Sequence, residues 1–337
     1  MRNPFLVKTR AGLAGAAGLV LLLLAGCDRS APPLARQPLA EGSVLAVEST
    51  ADGRFTLVAT GSGPVQVWQQ GDAAPLYQWH QGEETTPVVL LAAGPSGLAA
   101  ATATEYTVAV WSLASGQNLG FYRLEQPLRA LALASDGRAL LLGYQSGEVE
   151  FVNLSSGRRL QFLGHQDRIN SLDLSANGRY ALSASHDGEV MLWQTADAGI
   201  LARWRHEHSV NLVRLDQGGR YAFSADAQGR GDIHRLPGGE LQARLQVPAR
   251  GQTFVSARFN VEQGQLATGG TARRLDLWRL SDGVHLHHWQ VGLHTHLRPA
   301  SAMVYSVAFT GPNRLYSVSS AGLGETWPLT HRDPNDE

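Results

Sequence analysis

Seven short segments recur along the chain at nearly constant intervals, each ending in an aromatic residue or its substitute. They read Val65-Gln66-Val67-Trp68, Val108-Ala109-Val110-Trp111, Val149-Glu150-Phe151-Val152 and Val190-Met191-Leu192-Trp193. The series continues as Gly231-Asp232-Ile233-His234, Leu275-Asp276-Leu277-Trp278 and Gly324-Glu325-Thr326-Trp327. The markers Trp68, Trp111, Val152, Trp193, His234, Trp278 and Trp327 are spaced 43, 41, 41, 41, 44 and 49 residues apart. A period of this length marks a repeat architecture, whose units bury their faces only against one another.

The fourth unit shows the internal order. Residues 169–174 alternate apolar and polar, as a half-buried strand does. Ser175-Ala176-Asn177-Gly178 is a turn, 180–185 a second strand, and His186-Asp187-Gly188 a tight turn. Residues 190–193 form a third strand, Ala196-Asp197-Ala198-Gly199 turns again, and 200–205 form a fourth. Four strands at this period define a propeller blade, so the fold class is all-β, a seven-bladed β-propeller of four-stranded antiparallel blades. The seventh unit lacks a fourth strand. The segment Pro33-Leu34-Ala35-Arg36-Gln37-Pro38-Leu39 resembles fourth strands elsewhere, such as Leu241-Gln242-Ala243-Arg244-Leu245. A strand over about 33–40 is therefore expected to close blade seven, its prolines suiting an outer edge. The propeller would span 33–330, with 331–337 a solvated tail.

Several positions resemble the WD-repeat family. Gly164-His165 stands where that family has its Gly-His, and Leu192-Trp193 at its Trp-Asp dipeptide, with Gln194 replacing the Asp. The resemblance covers about residues 33–330 and is strongest in blade four. It implies that His165, Ser183, Asp187 and Trp193 form a structural hydrogen-bonded tetrad rather than a catalytic Ser-His-Asp set. It also implies a top face, carrying the connections between blades and the turns from second to third strand, that binds partners.

The N-terminus reads as an address. Arg2, Lys8 and Arg10 precede an apolar run from Ala11 to Leu24, and Leu24-Ala25-Gly26-Cys27 follows. A basic start, a short apolar core and small residues before a cleavage point make a secretory signal. The last four residues resemble the lipobox of bacterial lipoproteins. That resemblance implies removal of 1–26, a lipid on Cys27, a short tether over 27–32 and durable anchoring by several acyl chains. Asp28 resembles the signal that keeps such proteins at the periplasmic face of the inner membrane; the outer membrane remains open. Cys27 is the sole cysteine, so internal disulfides and multi-cysteine metal sites are excluded. Lys8 is the sole lysine, so the processed chain has no lysine chemistry. Processing leaves 25 basic against 29 acidic residues, a formal net of −4, which does not point to nucleic acid.

Two further features suggest binding. The top-face connections carry Glu83, Glu84, Glu105 and Glu125 in blades one to three. Arg168, Arg205, Arg230, Arg250, Arg273, Arg274 and Arg298 follow in blades four to seven. A face divided in this way would orient a charged partner. His285, His287, His288, His294 and His296 lie within twelve residues. On a strand His285 and His287 share a face, and with His294 and His296 they form a candidate Zn²⁺ or Cu²⁺ site. His206-Glu207-His208 lacks the helical zinc-protease spacing and reads as an ordinary connection. No phosphate loop or nucleophile elbow is present. The expected function is a monomeric, non-enzymatic scaffold without cofactor other than its lipid, binding a protein or peptide of the cell envelope. A metal-sensing propeller and a propeller hydrolase are the alternatives.

Overall fold

The computed structural model describes residues 31–82, 86–248, 252–293 and 301–329. Seven four-stranded antiparallel sheets stand as blades, and no helix occurs among the described residues. Blade four is formed by Ile169–Leu174, Tyr180–Ser185, Glu189–Gln194 and Ile200–Arg205, within one residue of the strands read from sequence. The inner strands are Val44–Ser49, Leu90–Ala93, Leu128–Leu133, Ile169–Leu174, Val210–Leu215, Phe254–Asn260 and Val304–Gly311. Each packs on the next, and the last returns to the first, so they encircle a central opening.

The ring is joined by chain segments from opposite ends of the sequence. Ala35–Pro38 pairs antiparallel with Leu323–Pro328 as the outer strand of blade seven. Pairing extends beyond the strand proper: Leu34 N donates to Thr326 O at 2.7 Å, and Leu39 N to Gly322 O at 2.8 Å. Pro33 has no N–H to continue the ladder. Arg36 Nε donates to the fully buried Glu325 carboxylate at 2.8 Å, adding a charge-assisted bond to the closure.

Alternation along each strand places apolar residues on both blade faces, and neighbouring blades cover them. One contact recurs at every interface: an outer-strand side chain of one blade lies on the third-strand marker of the next. Trp79 stacks on Trp111 at 4.9 Å, Phe162 on Trp193 at 4.5 Å and Trp204 on His234 at 4.3 Å. Trp289 meets Trp327 at 6.3 Å. Tyr122 with Val152, Leu245 with Trp278, and Leu39 with Trp68 complete the circuit within shared apolar clusters. Such ring pairs contribute about 0.5–1.5 kcal/mol beyond their buried area.

The turns from second to third strand are sealed against the following connection. Gly188 (φ 84°) and Gly229 (φ 85°) occupy left-handed backbone. A Cβ would meet His206 O at 3.0 Å or Gln252 O at 2.0 Å. Both requirements select glycine.

The interblade contact gives a direct test. Phe162→Ala is expected to destabilise the ring by about 3–5 kcal/mol. Leu163→Ala, next along the chain and 72% exposed, should stay within about 0.5 kcal/mol. Denaturant midpoints of the two variants against the wild type measure the difference.

Candidate functional site

In blade four the groups read as a tetrad converge. Trp193 Nε1 donates to Ser183 Oγ at 3.3 Å, and Ser183 Oγ stands 2.8 Å from His165 Nε2. Asp187 Oδ2 lies 3.4 Å from His165 Nδ1, outside hydrogen-bond geometry. Asp187 instead caps its surroundings, accepting from the N–H groups of Gln166 and Glu189 at 2.8 Å each. Burial lowers the His165 pKa against the opposing charge of Asp187, so the ring is neutral. Neutral imidazole then accepts from Ser183 while Ser183 accepts from the indole. Ser183 is fully buried, so its hydroxyl is occupied and sealed from solvent.

The same relay recurs where sequence reading gave an ordinary connection. His206 stands one repeat after His165, buried, with Nε2 2.8 Å from Ser224 Oγ and Nδ1 3.5 Å from Asp226. The regular 41-residue offset from His165 was the signal for it. His234 replaces the indole there. Elsewhere the indole keeps a hydroxyl partner ten or so residues upstream: Trp278 on Thr268, Trp327 on Ser317 and Trp111 on Thr102, all at 2.8 Å. In blade two Gln81 takes the histidine's place, accepting from Thr102 and donating to Thr107 Oγ1 at 2.9 Å. Trp68 differs, donating to Gln66 within its own strand at 3.2 Å.

Two positions before the marker, four blades hold a buried carboxylate that the sequence reading left unassigned: Glu150, Asp232, Asp276 and Glu325. Each has a charged partner. Arg159 lies 3.4 Å from Glu150, and Arg230 and Arg244 grip Asp232 at 2.7 and 2.8 Å. Asp276 is held by Arg274, by Gln252 at 2.6 Å and by His285 Nε2 at 2.8 Å. Burial pushes the Asp232 and Asp276 carboxyls up, but these partners outweigh it and hold both below the usual range.

These pairs change the reading of the top face. Arg205 pairs with Glu189 at 3.2 Å, Arg230 with Asp232, and Arg274 with Asp276. Arg273 donates to the Val291 carbonyl at 2.7 Å, and Arg168 Nη2 lies 3.0 Å from His186 Nδ1. The arginines expected to form a basic half are thus largely engaged by the blades themselves. Glu105 and Glu125 are exposed and make no ion pair among the described residues. Cys27, Glu83, Glu84, Arg250, Arg298, His294 and His296 lie outside the described residues.

For metal, no group of three or more His, Cys, Asp and Glu able to hold an ion occurs among the described residues. His285 is committed to Asp276, and His287 lies edge-on to Trp289 at 4.5 Å.

The central opening holds a further cluster that sequence alone did not reveal. Arg258 of blade six lies 3.1 Å from Glu48 of blade one, and Arg214 of blade five 3.8 Å from it. Blades one and five are not neighbours in the ring, so these contacts cross the opening. Arg258 also donates to the Ser49 and Val307 carbonyls at 3.2 and 3.3 Å. Burial pushes the Glu48 and Asp173 carboxyls up, opposed by the two arginines. The cluster ties inner strands of four blades together.

The chain's relationships agree with this geometry. The WD domain, G-beta repeat family pattern matches residues 157–194, which span the tetrad of blade four. No curated protein matches the chain. Among solved structures, the crystal structure of the Cps50 (Swd1) β-propeller domain of Myceliophteria thermophila superimposes with a TM-score of 0.72. It is 12% identical, with 88% of this chain and 99% of that one covered. At this identity the likeness shows the β-propeller fold alone; the WD repeat is shown over residues 157–194.

Burial holds His206 down as well as His165, and takes His234 to about 4. All three are neutral in the folded ring. The unfolded chain regains an ordinary histidine near 6.5, so below that pH it binds protons that the fold refuses. Stability is therefore complete above about pH 6.5 and falls as pH drops, for His234 by about 2 kcal/mol at pH 5. His234→Phe keeps a ring on Trp204 and cannot titrate. Its denaturant midpoint should fall less than that of the wild type between pH 7.5 and about 5; equal losses would contradict the assignment.

Proposed function

We propose that this chain is a non-enzymatic interaction scaffold, tethered by lipid on Cys27 to the periplasmic side of a bacterial membrane, that binds a protein or peptide through its top face. The observation that carries the reading is where the reactive groups go. Histidine, serine and carboxylate side chains that could do chemistry are buried and spent on holding blades together. The exposed residues of the top face include Glu105, Tyr106 and Glu125, held on a closed ring. Rigid scaffolds presenting variable loops are suited to recognition. The fold alone does not assign it.

The tether supports the orientation. The chain enters at Leu34, at the end of blade seven opposite the top face. Six residues separate Cys27 from Leu34, a span of at most about 20 Å. The lower face would lie toward the bilayer and the top face away from it.

Growth with an alkyne-bearing fatty acid tests the anchor. The wild type should take the label and sediment with membranes, and Cys27→Ala should do neither. Photo-crosslinkers at Tyr106 and at the lower-face turn residue Arg179 then test the orientation. A partner adduct from Tyr106 and none from Arg179 is expected, and the reverse pattern would refute the top-face reading.

A further inference from the structure

The top rim of blades two and three contains two adjoining cavities. The first, about 320 Å³, is bounded by Gln81, Thr104, Tyr106, Phe121, Arg123 and Leu124. Tyr106 and Phe121 are 49% and 46% exposed and lie together in its wall. The second, about 150 Å³, is bounded by Arg123, Leu124, Glu125, Glu148, Glu150 and Arg159. Arg123 and Leu124 belong to both, so the two form one groove over the connection from blade two to blade three.

The two ends differ in chemistry. The aromatic end offers ring faces and threonine hydroxyls. The other end holds three carboxylates against two guanidiniums. Glu150 is already satisfied, accepting from Tyr144 at 2.8 Å and facing Arg159 at 3.4 Å. Glu148 accepts only an amide N–H, from Gln126 at 3.0 Å, and Glu125 makes no ion pair among the described residues. Two carboxylates therefore remain for a cation, opposed by Arg123, which makes no ion pair among the described residues. In blades four to six, Arg205, Arg230 and Arg274 are matched by carboxylates of the same blade.

We infer that this groove binds a cationic partner segment, with an apolar side chain against Tyr106 and Phe121 and a lysine or arginine head group between Glu125 and Glu148. Charge complementarity selects the occupant: Glu125 and Glu148 outnumber the single opposing guanidinium of Arg123, which disfavours an acidic segment. Apolar contact supplies the anchoring surface, and the charge supplies register and discrimination. This inference rests on the scaffold reading and names the partner's chemistry.

Fluorescence anisotropy on the full chain in detergent tests it with three pools of dye-labelled hexapeptides. Each pool carries mixed apolar residues at four positions and, at the other two, Lys or Arg, Gln, or Glu. The cationic pool should bind about tenfold more tightly than the Gln pool, the Glu pool least, and the preference should weaken from about 50 to 300 mM salt. Glu125→Gln with Glu148→Gln should abolish the preference while leaving Gln-pool binding. Tyr106→Ser with Phe121→Ser should weaken both pools by about tenfold. All four sites lie at the rim, and an unchanged denaturant midpoint shows that the ring is intact. Equal binding of the three pools, binding of none, or variants that bind as the wild type does would overturn the inference. Adducts from Tyr106 that persist in the Glu125→Gln, Glu148→Gln variant would leave the scaffold reading standing without it.

Discussion

The contact between an outer-strand side chain and the third-strand marker of the next blade is what the rest of the molecule depends on. A single blade is a small sheet with two apolar faces and no means of covering either. The stacked pairs Trp79–Trp111, Phe162–Trp193 and Trp204–His234 cover them by joining neighbours, so stability is a property of interfaces. A ring has one interface more than an open stack. Leu39, just after the closing strand, packs in the cluster that contains Trp68 of blade one, and so helps to make that last interface.

The polar groups follow from this burial. Placing an indole between blades also buries its N–H, which needs an acceptor. Ser183, Thr102, Thr268 and Ser317 supply it from the second strand, and His165 and Gln81 in turn support Ser183 and Thr102. Carboxylates on the third strand bring arginines onto the blade edges. Much of the chain's reactive chemistry is thereby consumed in construction. The groove at blades two and three differs because its aromatic rings and two of its carboxylates have no such use.

Blade four is legible in the sequence almost residue by residue, because its strands are short β-forming runs and each turn between them carries a glycine. Blade five was harder to read. Its marker is a histidine, and His206 sits beside Glu207 and His208 in what looked like an unremarkable connection. Only the 41-residue offset from His165 betrays its role. Nor does the sequence show that Arg205, Arg230 and Arg274 are paired. Their partners, Glu189, Asp232 and Asp276, are alternate residues on strands where a carboxylate gives no sign of which face it occupies.

The sequence by itself determined the number of blades, the strands within them and the marker positions, because strand alternation and repeat period are local and survive in one dimension. The tertiary structure decided which residues meet between blades, across the opening and along the rim. Glu48 finds Arg214 and Arg258 from far along the chain only because closure brings non-neighbouring blades to one central axis. Tyr106 and Glu148 bound adjoining cavities for the same reason: adjacent blades juxtapose loops that no sequence interval links. Contact at that range is set by the geometry of the ring, and no local pattern encodes it.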